Sequence, residues 1–488
     1  ENNIAPELDA FSFLNDHIVS SKLCDPRVKQ YSGYLSIAPD ANMFFWFFES
    51  RQNPKNSPLT IWLSGGPGDS SMFALFQEVG PCKVKRNMNE SILAANSWNE
   101  VTNLLFIDQP IGAGFSYGTR MVNTSEQAAL DVYEFLQRFF IMFPKYATLD
   151  LHLFSESYGG HYVPIIAKHI IENNNLIKAG KIKDIIPINL KSCGIGSAWI
   201  DPIIQMRSYI NFAENNTYKS LLGPQLIEAM RDTWILCQYT INECYQTNTT
   251  HACVTANITC WDGYNGIYTQ NSDAGLYDIR TKNDFPVATY IKYLENPFVL
   301  KSIGVNTTAI SKYLEFNETI YFKFTDSGDL YALFKNNLII VWVLLELKLE
   351  FLLDNDVPMM FFTGDADYIC NWLGGNEMAE SLKWKRRKEF NNAVFQEWTV
   401  GGVKVGEIKK VKNLWFVKVF ESGHFIPHDQ PRNSLELFKM WVRRSVLNPN
   451  PNLNSNLKVD HFQYQTGTDL MTWVWSWFRS ESLQTHPT

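Results

Sequence analysis

Short, nearly continuous runs of apolar residues recur along the chain, and each ends in a turn that contains Gly, Asp, Pro or Ser. Such runs are typical of buried strands that are covered on both faces. Helical patterns separate them, as in EQAALDVYEFLQRFF from Glu126 and NSLELFKMWVRR from Asn433. Strands that alternate with helices predict a doubly wound α/β fold. The predicted strands are LTIWLSGGPG from Leu59, NLLFIDQP from Asn103, LHLFSES from Leu151, INLKSCGIGS from Ile188, VPMMFFTGDAD from Val357 and LWFVKVFESGH from Leu414.

The alternation of strands and helices stops between residues 201 and 329. This segment is rich in cysteines and in short helical patterns, which favours an insertion that covers the carboxyl edge of the sheet, where α/β proteins hold their sites. We therefore predict an α/β core of residues 1–200 and 330–447 and an inserted cap region of residues 201–329. The Pro/Asn-rich stretch NPNPNLNSN begins a linker and C-terminal tail, residues 448–488.

Charge and hydropathy exclude some partners. The net charge of −7 is spread without a basic block, which argues against nucleic acid. The longest apolar stretch, LIIVWVLLELKLEFLL from Leu338, contains Glu346, Lys348 and Glu350. It therefore predicts a partly buried helix rather than a membrane span. The later run LMTWVWSWF is too short to cross a bilayer.

Cysteines and glycosylation sequons point to the secretory pathway. Four cysteines in the cap region have gaps that suit two nested disulfides, Cys237–Cys260 around Cys244–Cys253, although other pairings stay open. A zinc site is the alternative, but the close ligand spacing it needs is missing. Cys24, Cys82 and Cys193 show no obvious partner. Seven sequons predict N-linked glycans, at Asn89, Asn123, Asn215, Asn248, Asn257, Asn306 and Asn317.

The candidate chemistry begins at SESYGG, between a predicted strand and a predicted helix. Ser157 either caps the helix or is a nucleophile on a tight strand-to-helix turn. Such a turn needs small residues two positions before and after the nucleophile, and Ser155 and Gly159 meet that need. The turn alone leaves both interpretations open.

Two further strand ends supply the partners of a serine nucleophile. The order along the chain in such enzymes is nucleophile, acid, histidine. His424 follows a strand and a glycine, whereas His428 lies four residues on and is better explained as a surface or capping residue. For the acid, Asp365 and Asp367 in FFTGDADYICNW are both eligible from their positions alone.

Five motifs together resemble the serine carboxypeptidase family, of the carboxypeptidase Y type: WLSGGPGDSS, FIDQPIGAGFSYG, SESYGGHYVP, GDADYICNWLGG and GHFIPHDQP. The resemblance implies an α/β-hydrolase fold, with a mixed, mostly parallel sheet flanked by helices and an inserted cap. It also implies Ser157 as nucleophile, His424 as base and Asp367 as the acid that orients it. The oxyanion hole would consist of the backbone N–H groups of Gly66 and Tyr158.

The same resemblance implies how the substrate's C-terminal carboxylate is bound, by Ser64, Gly65, Glu78 and Glu156. Two glutamates can face a carboxylate if burial and mutual repulsion keep at least one of them protonated. Cys370 would line the acyl-side pocket, although a plain core cysteine is an equal alternative, and Phe425 would form an apolar wall for the leaving residue. Three positions depart from the family pattern: Ser64 replaces Asn, Asp69 replaces a bridged Cys, and Ser155 replaces Gly.

We therefore expect a serine-type carboxypeptidase that removes C-terminal amino acids from peptides and proteins through an acyl-enzyme, acts best at acidic pH, and uses no cofactor or metal. A vacuolar, lysosomal or secreted location follows from the same features. An acyltransferase or esterase of the same family is the second hypothesis, since Ser64 could weaken carboxylate binding. A non-catalytic binding or chaperone-like member is the third.

Overall fold

The computed structural model describes residues 17–282, 285–330 and 344–447. The predicted linker and tail, residues 448–488, lie outside the described residues, and so does the first part of the apolar stretch from Leu338. The described part of that stretch forms a helix, Leu344–Asp354, and Leu349 and Leu352 on this helix are buried. Among the described residues, none of the helices is both long enough and apolar enough to cross a membrane.

Most strands join one large mixed sheet, and its centre is parallel. In spatial order the path is β1-β2-β3-β7-β4-β9-β10-β11-β14-β13-β12, while β8 pairs with β3 and β5 pairs with β6 in a separate ribbon. The five pairings from β7 to β14 along this path are parallel, and the outer ones are antiparallel. The strands are β1 His17–Val19, β2 Gln30–Ala38, β3 Ala41–Phe48, β4 Leu59–Leu63, β5 Cys82–Val84, β6 Ser91–Leu93, β7 Asn103–Ile107, β8 Tyr117–Gly118, β9 Leu151–Glu156, β10 Leu190–Gly196, β11 Met359–Gly364, β12 Gln396–Val400, β13 Val403–Val411 and β14 Leu414–Val419.

Helices connect the strands and cover the sheet. They are α1 Met72–Gln77, α2 Ser125–Met142, α3 Gly159–Lys178, α4 Pro202–Asn215, α5 Pro224–Thr247, α6 Thr250–Asn257, α7 Gly266–Asn271, α8 Thr289–Leu294, α9 Pro297–Ser302, α10 Glu318–Asp326, α11 Leu344–Asp354, α12 Trp372–Ser381, α13 Arg387–Asn392, α14 Ile426–Asp429 and α15 Pro431–Leu447. Short 3₁₀ turns occupy Trp98–Glu100 and Pro144–Tyr146, and a π-helical segment occupies Ile258–Asn265. The predicted α/β-hydrolase arrangement is confirmed.

The apolar runs are continuous because both faces of the sheet are buried. On β3, Phe45 and Phe47 belong to one apolar cluster with α2 and α3. Their neighbours Phe44 and Trp46 point to the other face and join a second cluster with α1 and α15. Since side chains alternate across a strand, only an unbroken apolar sequence can fill both clusters.

The cap region carries helices α4 to α10, and its described residues add no strand to the large sheet. Our division into core and cap remains a prediction. The nested disulfides are present as expected: Cys237–Cys260 ties α5 to the π-helical segment, and Cys244–Cys253 ties α5 to α6. A third disulfide, Cys24–Cys82, was not predicted, because its cysteines are 58 residues apart and nothing in their spacing relates them.

Candidate active site

Four polar segments that follow parallel strands meet at one edge of the sheet. They follow β4, β9, β11 and β14, whose parallel pairing places their carboxyl ends side by side. A cavity of ≈ 370 Å³ lies above this edge. Its lining residues are Ser64, Gly66, Asp69, Phe73, Glu156, Ser157, Tyr158, Trp199, Trp261, Tyr277, Phe285, Glu315, Phe316, Tyr321, Leu330, Ile369, Cys370, His424 and Phe425.

Ser157 lies on a sharp turn between β9 and α3. Its φ of 55° falls in the left-handed region, which costs energy for a residue with a side chain. Backbone hydrogen bonds hold it there: the Ser157 N–H donates to the Gly196 carbonyl at 2.9 Å, and the Trp199 N–H donates to the Ser157 carbonyl at 2.8 Å. The turn is therefore fixed by the neighbouring strand β10 and the loop after it.

The residues around this turn must be small. A Cβ atom on Gly159 would lie 1.8 Å from the Ser155 Oγ, and one on Gly160 would lie 2.1 Å from the Trp199 carbonyl oxygen. Ser155 fits only because its hydroxyl turns toward β4 and donates to the Leu63 carbonyl at 2.5 Å. A serine thus replaces the family's glycine without blocking the turn.

His424 and Asp367 form a buried pair beside the same cavity. The His424 Nδ1 and the Asp367 Oδ2 are 2.9 Å apart, and the other Asp367 oxygen accepts the Cys370 N–H at 3.1 Å. Burial disfavours the imidazolium, but the Asp367 carboxylate offsets this, so the pKa of His424 is raised above its ordinary value. The ring is also held from its backbone, because the His424 N–H donates to the Tyr277 carbonyl.

The alternatives for acid and base lie elsewhere. Asp365 accepts a hydrogen bond from the Tyr218 hydroxyl at 2.7 Å and from the Ser422 N–H at 3.4 Å rather than from His424. The His428 Nδ1 lies 3.2 Å from the Gln77 carbonyl oxygen. The geometry therefore pairs His424 with the second aspartate of GDAD.

Gly66 and Tyr158 line the cavity beside Ser157. Gly66 has φ 101°, a conformation that favours glycine, and a Cβ on Gly65 would lie 2.8 Å from the Tyr158 nitrogen. The loop after β4 and the turn after β9 thus approach each other backbone to backbone. Two N–H groups on such a pair of segments can be directed at one oxygen atom.

An unpredicted residue fixes the Tyr158 side chain. The Tyr158 hydroxyl donates to the Asp329 Oδ2 at 2.5 Å, and the same carboxylate oxygen accepts from the Ser125 hydroxyl and N–H. Burial raises the pKa of Asp329 to about 7. The sequence offered only an ordinary Ser-Gly-Asp stretch here, so no pattern could have identified the residue.

Two buried carboxyls, Glu78 and Glu156, lie together at the foot of the cavity, and Glu156 also lines it. Each is 4% exposed. Burial raises the pKa of Glu78 to about 8, and burial together with the neighbouring Glu78 carboxyl raises the pKa of Glu156 well above its usual range. At neutral pH the pair therefore holds at least one proton, which allows one carboxyl to donate a hydrogen bond. Gly65 and Ser64 adjoin this pair, and the buried Ser64 hydroxyl has no partner among the described residues.

Cys370 and Phe425 both line the cavity, and their assignment to its acyl and leaving-residue sides stays a prediction. Burial, followed by the Asp367 carboxylate, raises the pKa of the Cys370 thiol well above its usual value. Asp367, Cys370 and His424 present ligand atoms within 4.8 Å of one another, but a neutral thiol is a poor metal ligand and Asp367 already holds the imidazole. The Phe425 ring lies 4.9 Å from that of Phe73, within an aromatic wall.

Serine, aspartate and histidine, in this order along the chain and at the ends of parallel strands, define a serine hydrolase of the α/β-hydrolase class. The model of the serine carboxypeptidase family matches residues 22–444. Carboxypeptidase S1 of Penicillium janthinellum is 37% identical over 436 residues, which cover 88% of this chain and 99% of that protein. Carboxypeptidase Y of Candida albicans is 37% identical over 426 residues, which cover 85% of this chain and 73% of that protein.

A solved structure agrees with these relatives. The prohormone-processing carboxypeptidase of Saccharomyces cerevisiae is similar with a TM-score of 0.74 and 26% identity, covering 88% of this chain and 96% of that one. The chain belongs to the serine carboxypeptidase family. It is a serine-type carboxypeptidase, a hydrolase that acts on the C-terminal end of peptides.

Proposed function

We propose that Ser157 is the nucleophile of this carboxypeptidase and that the cavity accepts the last two residues of a peptide. The Ser157 hydroxyl attacks the carbonyl carbon of the last peptide bond while His424 takes its proton. Asp367 holds the imidazole through Nδ1, so that Nε2 faces the serine. The N–H groups of Gly66 and Tyr158 stabilise the oxyanion. Each such donor lowers the activation barrier by on the order of 3 kcal/mol.

The reaction then follows two steps. His424 returns the proton to the leaving amine, the C–N bond breaks, and the C-terminal amino acid departs from an acyl-enzyme on Ser157. Water attacks this ester with His424 again as base, which releases the shortened peptide and restores the serine. Two features of the acyl side, Cys370 and the Tyr158 ring, form walls of the cavity.

The observation that carries the proposal is the buried pair Glu78 and Glu156. In an endopeptidase or esterase nothing would require two buried carboxyls at the foot of the cleft, and neither forms an ion pair with a described residue; Lys83 acts on Glu78 only at longer range. A protonated carboxyl can donate to the oxygen of a substrate carboxylate, and the Ser64 hydroxyl and the Gly65 N–H can add further donors. Hydrogen bonds to charged groups contribute roughly 1.5–3 kcal/mol each.

The pH dependence follows from the same groups. Loss of the Glu78 proton places a negative charge beside the substrate carboxylate, so binding weakens as pH rises through about 8, where the pKa of Glu78 lies. At low pH the limit is protonation of His424, whose pKa is raised by Asp367 and further by the Glu156 and Asp69 carboxylates. Because Asp69, with a pKa of about 7, loses its charge on acidification, its part of that increase disappears below neutral pH, which extends the active range toward acidic pH.

The test compares an N-blocked dipeptide carrying a free carboxylate with the same dipeptide as its amide. We expect kcat/KM to be on the order of 10²-fold higher for the free acid, which corresponds to the loss of one or two charge-assisted hydrogen bonds. Ser157→Ala should abolish hydrolysis and labelling by a fluorophosphonate. Equal rates for acid and amide would favour the acyltransferase or esterase hypothesis, for which the Ser64 substitution is the one specific argument. Wild-type protein that resists labelling would favour the non-catalytic hypothesis.

We also propose that the protein folds in the secretory pathway and carries N-linked glycans. Three disulfides among the described residues support an oxidising compartment, such as the one that leads to vacuole, lysosome or cell exterior. Asn89 and Asn215 are exposed, whereas the Asn317 amide donates to the Gly112 carbonyl at 2.9 Å, so a glycan there would break a hydrogen bond. Asn89→Gln and Asn215→Gln should each remove one endoglycosidase-sensitive shift in gel mobility, while Asn317→Gln should remove none.

A further inference from the structure

The side chain of Asp69 lines the substrate cavity, whereas its backbone belongs to the loop after β4. The side chain is partly exposed and makes no hydrogen bond to any described residue. A Cβ built on Gly66 would lie 3.2 Å from the Asp69 Cγ, so the carboxyl is adjacent to a predicted oxyanion-hole residue. An unpaired negative charge at that place opposes the developing oxyanion, and this cost requires an explanation.

A second carboxyl, that of Glu315, lines the same cavity. The two residues are held by one backbone contact, since Asp69 forms an antiparallel bridge with Phe316 and the Ser70 N–H donates to the Glu315 carbonyl at 2.8 Å. Tyr290 donates a hydrogen bond to the Glu315 carboxyl. None of the described residues that line the cavity is Lys or Arg, so the walls provide no countercharge.

Ring contacts connect the acidic pair to Phe425, which the family resemblance assigns to the wall for the leaving residue. Tyr290, which holds Glu315, packs with its ring 6.5 Å from Phe73. Phe73 in turn packs against Phe425, the residue after the base. Phe425 and Phe285 extend this apolar wall with ring centroids 5.2 Å apart. A long aliphatic stem would contact these rings while its end reaches the carboxyls, as amphipathic basic side chains do.

We propose that Asp69 and Glu315 form a cation-binding subsite for the side chain of the departing residue, so that the enzyme prefers C-terminal Lys or Arg to neutral residues of the same stem length. This inference rests on the proposed carboxypeptidase activity of the site. A basic side chain supplies the charge that the cavity lacks and neutralises Asp69 beside the oxyanion hole. The buried Ser64 hydroxyl has no partner among the described residues, and Ser64 lines the same cavity, so this hydroxyl is available to the carboxylate of the same amino acid.

The preference should depend on pH. Asp69 faces Glu315, Glu156 and His424; burial and the Glu315 charge raise its pKa to about 7. The carboxylate form, which attracts a cation, therefore grows as pH rises from 5 toward 8. The ratio of rates for basic and neutral leaving residues should rise over the same range, even while the absolute rates fall with the deprotonation of the glutamate pair.

The experiment measures kcat/KM for two N-blocked dipeptides with the same first residue, one ending in Lys and one in norleucine, which has the same stem without the ammonium group. At pH 7 we expect a Lys/norleucine ratio of about 10 for the wild type. Asp69→Asn and Glu315→Gln should each lower that ratio several-fold, and Asp69→Lys should make it fall below 1. Asp232→Asn, which removes an exposed carboxylate on α5, should leave the ratio unchanged. Effects on folding or on the chemical step cancel in the ratio.

The outcomes separate the two claims. If neither dipeptide is hydrolysed by the wild type, the proposed function fails. If norleucine is released but the wild-type ratio is 1 or lower, or if Asp69→Asn leaves the ratio unchanged, the carboxypeptidase stands and the cation subsite is refuted.

Discussion

The turn around Ser157 yields a prediction whose size follows from atomic positions. Gly159 stands at the start of α3, and a methyl group there would overlap the Ser155 Oγ at 1.8 Å and its Cβ at 2.4 Å. The Ser155 hydroxyl cannot simply rotate away, because it donates to the Leu63 carbonyl at 2.5 Å and lies in a fully buried strand. Gly159→Ala must therefore displace either the turn or this serine.

The expected cost of Gly159→Ala is about 2–3 kcal/mol in the free energy of unfolding, the upper part of the range for overpacking a core. Ser155→Gly alone should cost about 1–2 kcal/mol, from the lost hydrogen bond and the added backbone freedom. Since Ser155→Gly also removes both clashing atoms, the double variant should be less destabilised than the sum by about 1–2 kcal/mol. The catalytic rate should follow the same order, because the clash displaces the nucleophile.

The assay is a double-mutant cycle in urea, with fluorophosphonate labelling rates measured on the same four proteins. Gly263→Ala is the matched control, as its Cβ would meet no atom closer than 4.0 Å. We expect that control to change stability by less than about 0.5 kcal/mol. Additive effects of Gly159→Ala and Ser155→Gly would refute the claim that Ser155 limits the space in the turn.

Three further predictions concern other parts of the molecule. The pKa of Glu78 is raised from 4.5 to about 8 on folding, so its contribution to the free energy of unfolding is present below pH 4.5 and is lost as pH rises toward 8. The urea midpoint of the wild type should therefore decrease over this pH range, and Glu78→Gln should make the decrease smaller. The double change Cys24→Ala and Cys82→Ala should lower the unfolding free energy by roughly 2–5 kcal/mol under non-reducing conditions and have no effect under reducing ones. Asp329→Asn should lower kcat about tenfold and raise KM by a smaller factor, because the Tyr158 hydroxyl loses a carboxylate acceptor. An unchanged kcat in a folded variant would contradict this role.

Local pattern was sufficient to predict the six parallel strands and the tight turn at Ser157. The runs on β4, β7 and β11 are nearly continuous in apolar residues because both faces of the sheet are covered, and this leaves a direct trace in the sequence. The small residues around Ser157 leave a trace for the same reason, since any larger side chain there meets backbone. Strand order then placed a candidate acid, Asp365 or Asp367, and His424 after this turn, and the family resemblance implied Asp367.

Contacts between distant segments left no such trace. Cys24–Cys82 joins residues 58 apart, and Asp329 reaches Tyr158 from 171 positions away. Whether Asp365 or Asp367 meets the histidine depends on which carboxyl turns toward β14 after the strand ends, and residue spacing alone does not fix that. The role of Glu315 likewise depends on the bridge that brings it beside Asp69.

The central claim is that a proton shared by Glu78 and Glu156 lets this cleft hold a free C-terminal carboxylate. The most direct test is kcat/KM of the wild type on one N-blocked dipeptide acid, measured from pH 5 to pH 9. The account predicts a fall as pH rises through about 8, the pKa of Glu78, and a separate fall toward acidic pH where His424, whose pKa is raised, becomes protonated. A profile that keeps rising to pH 9 would contradict it, because binding would then be strongest where Glu78 carries a negative charge.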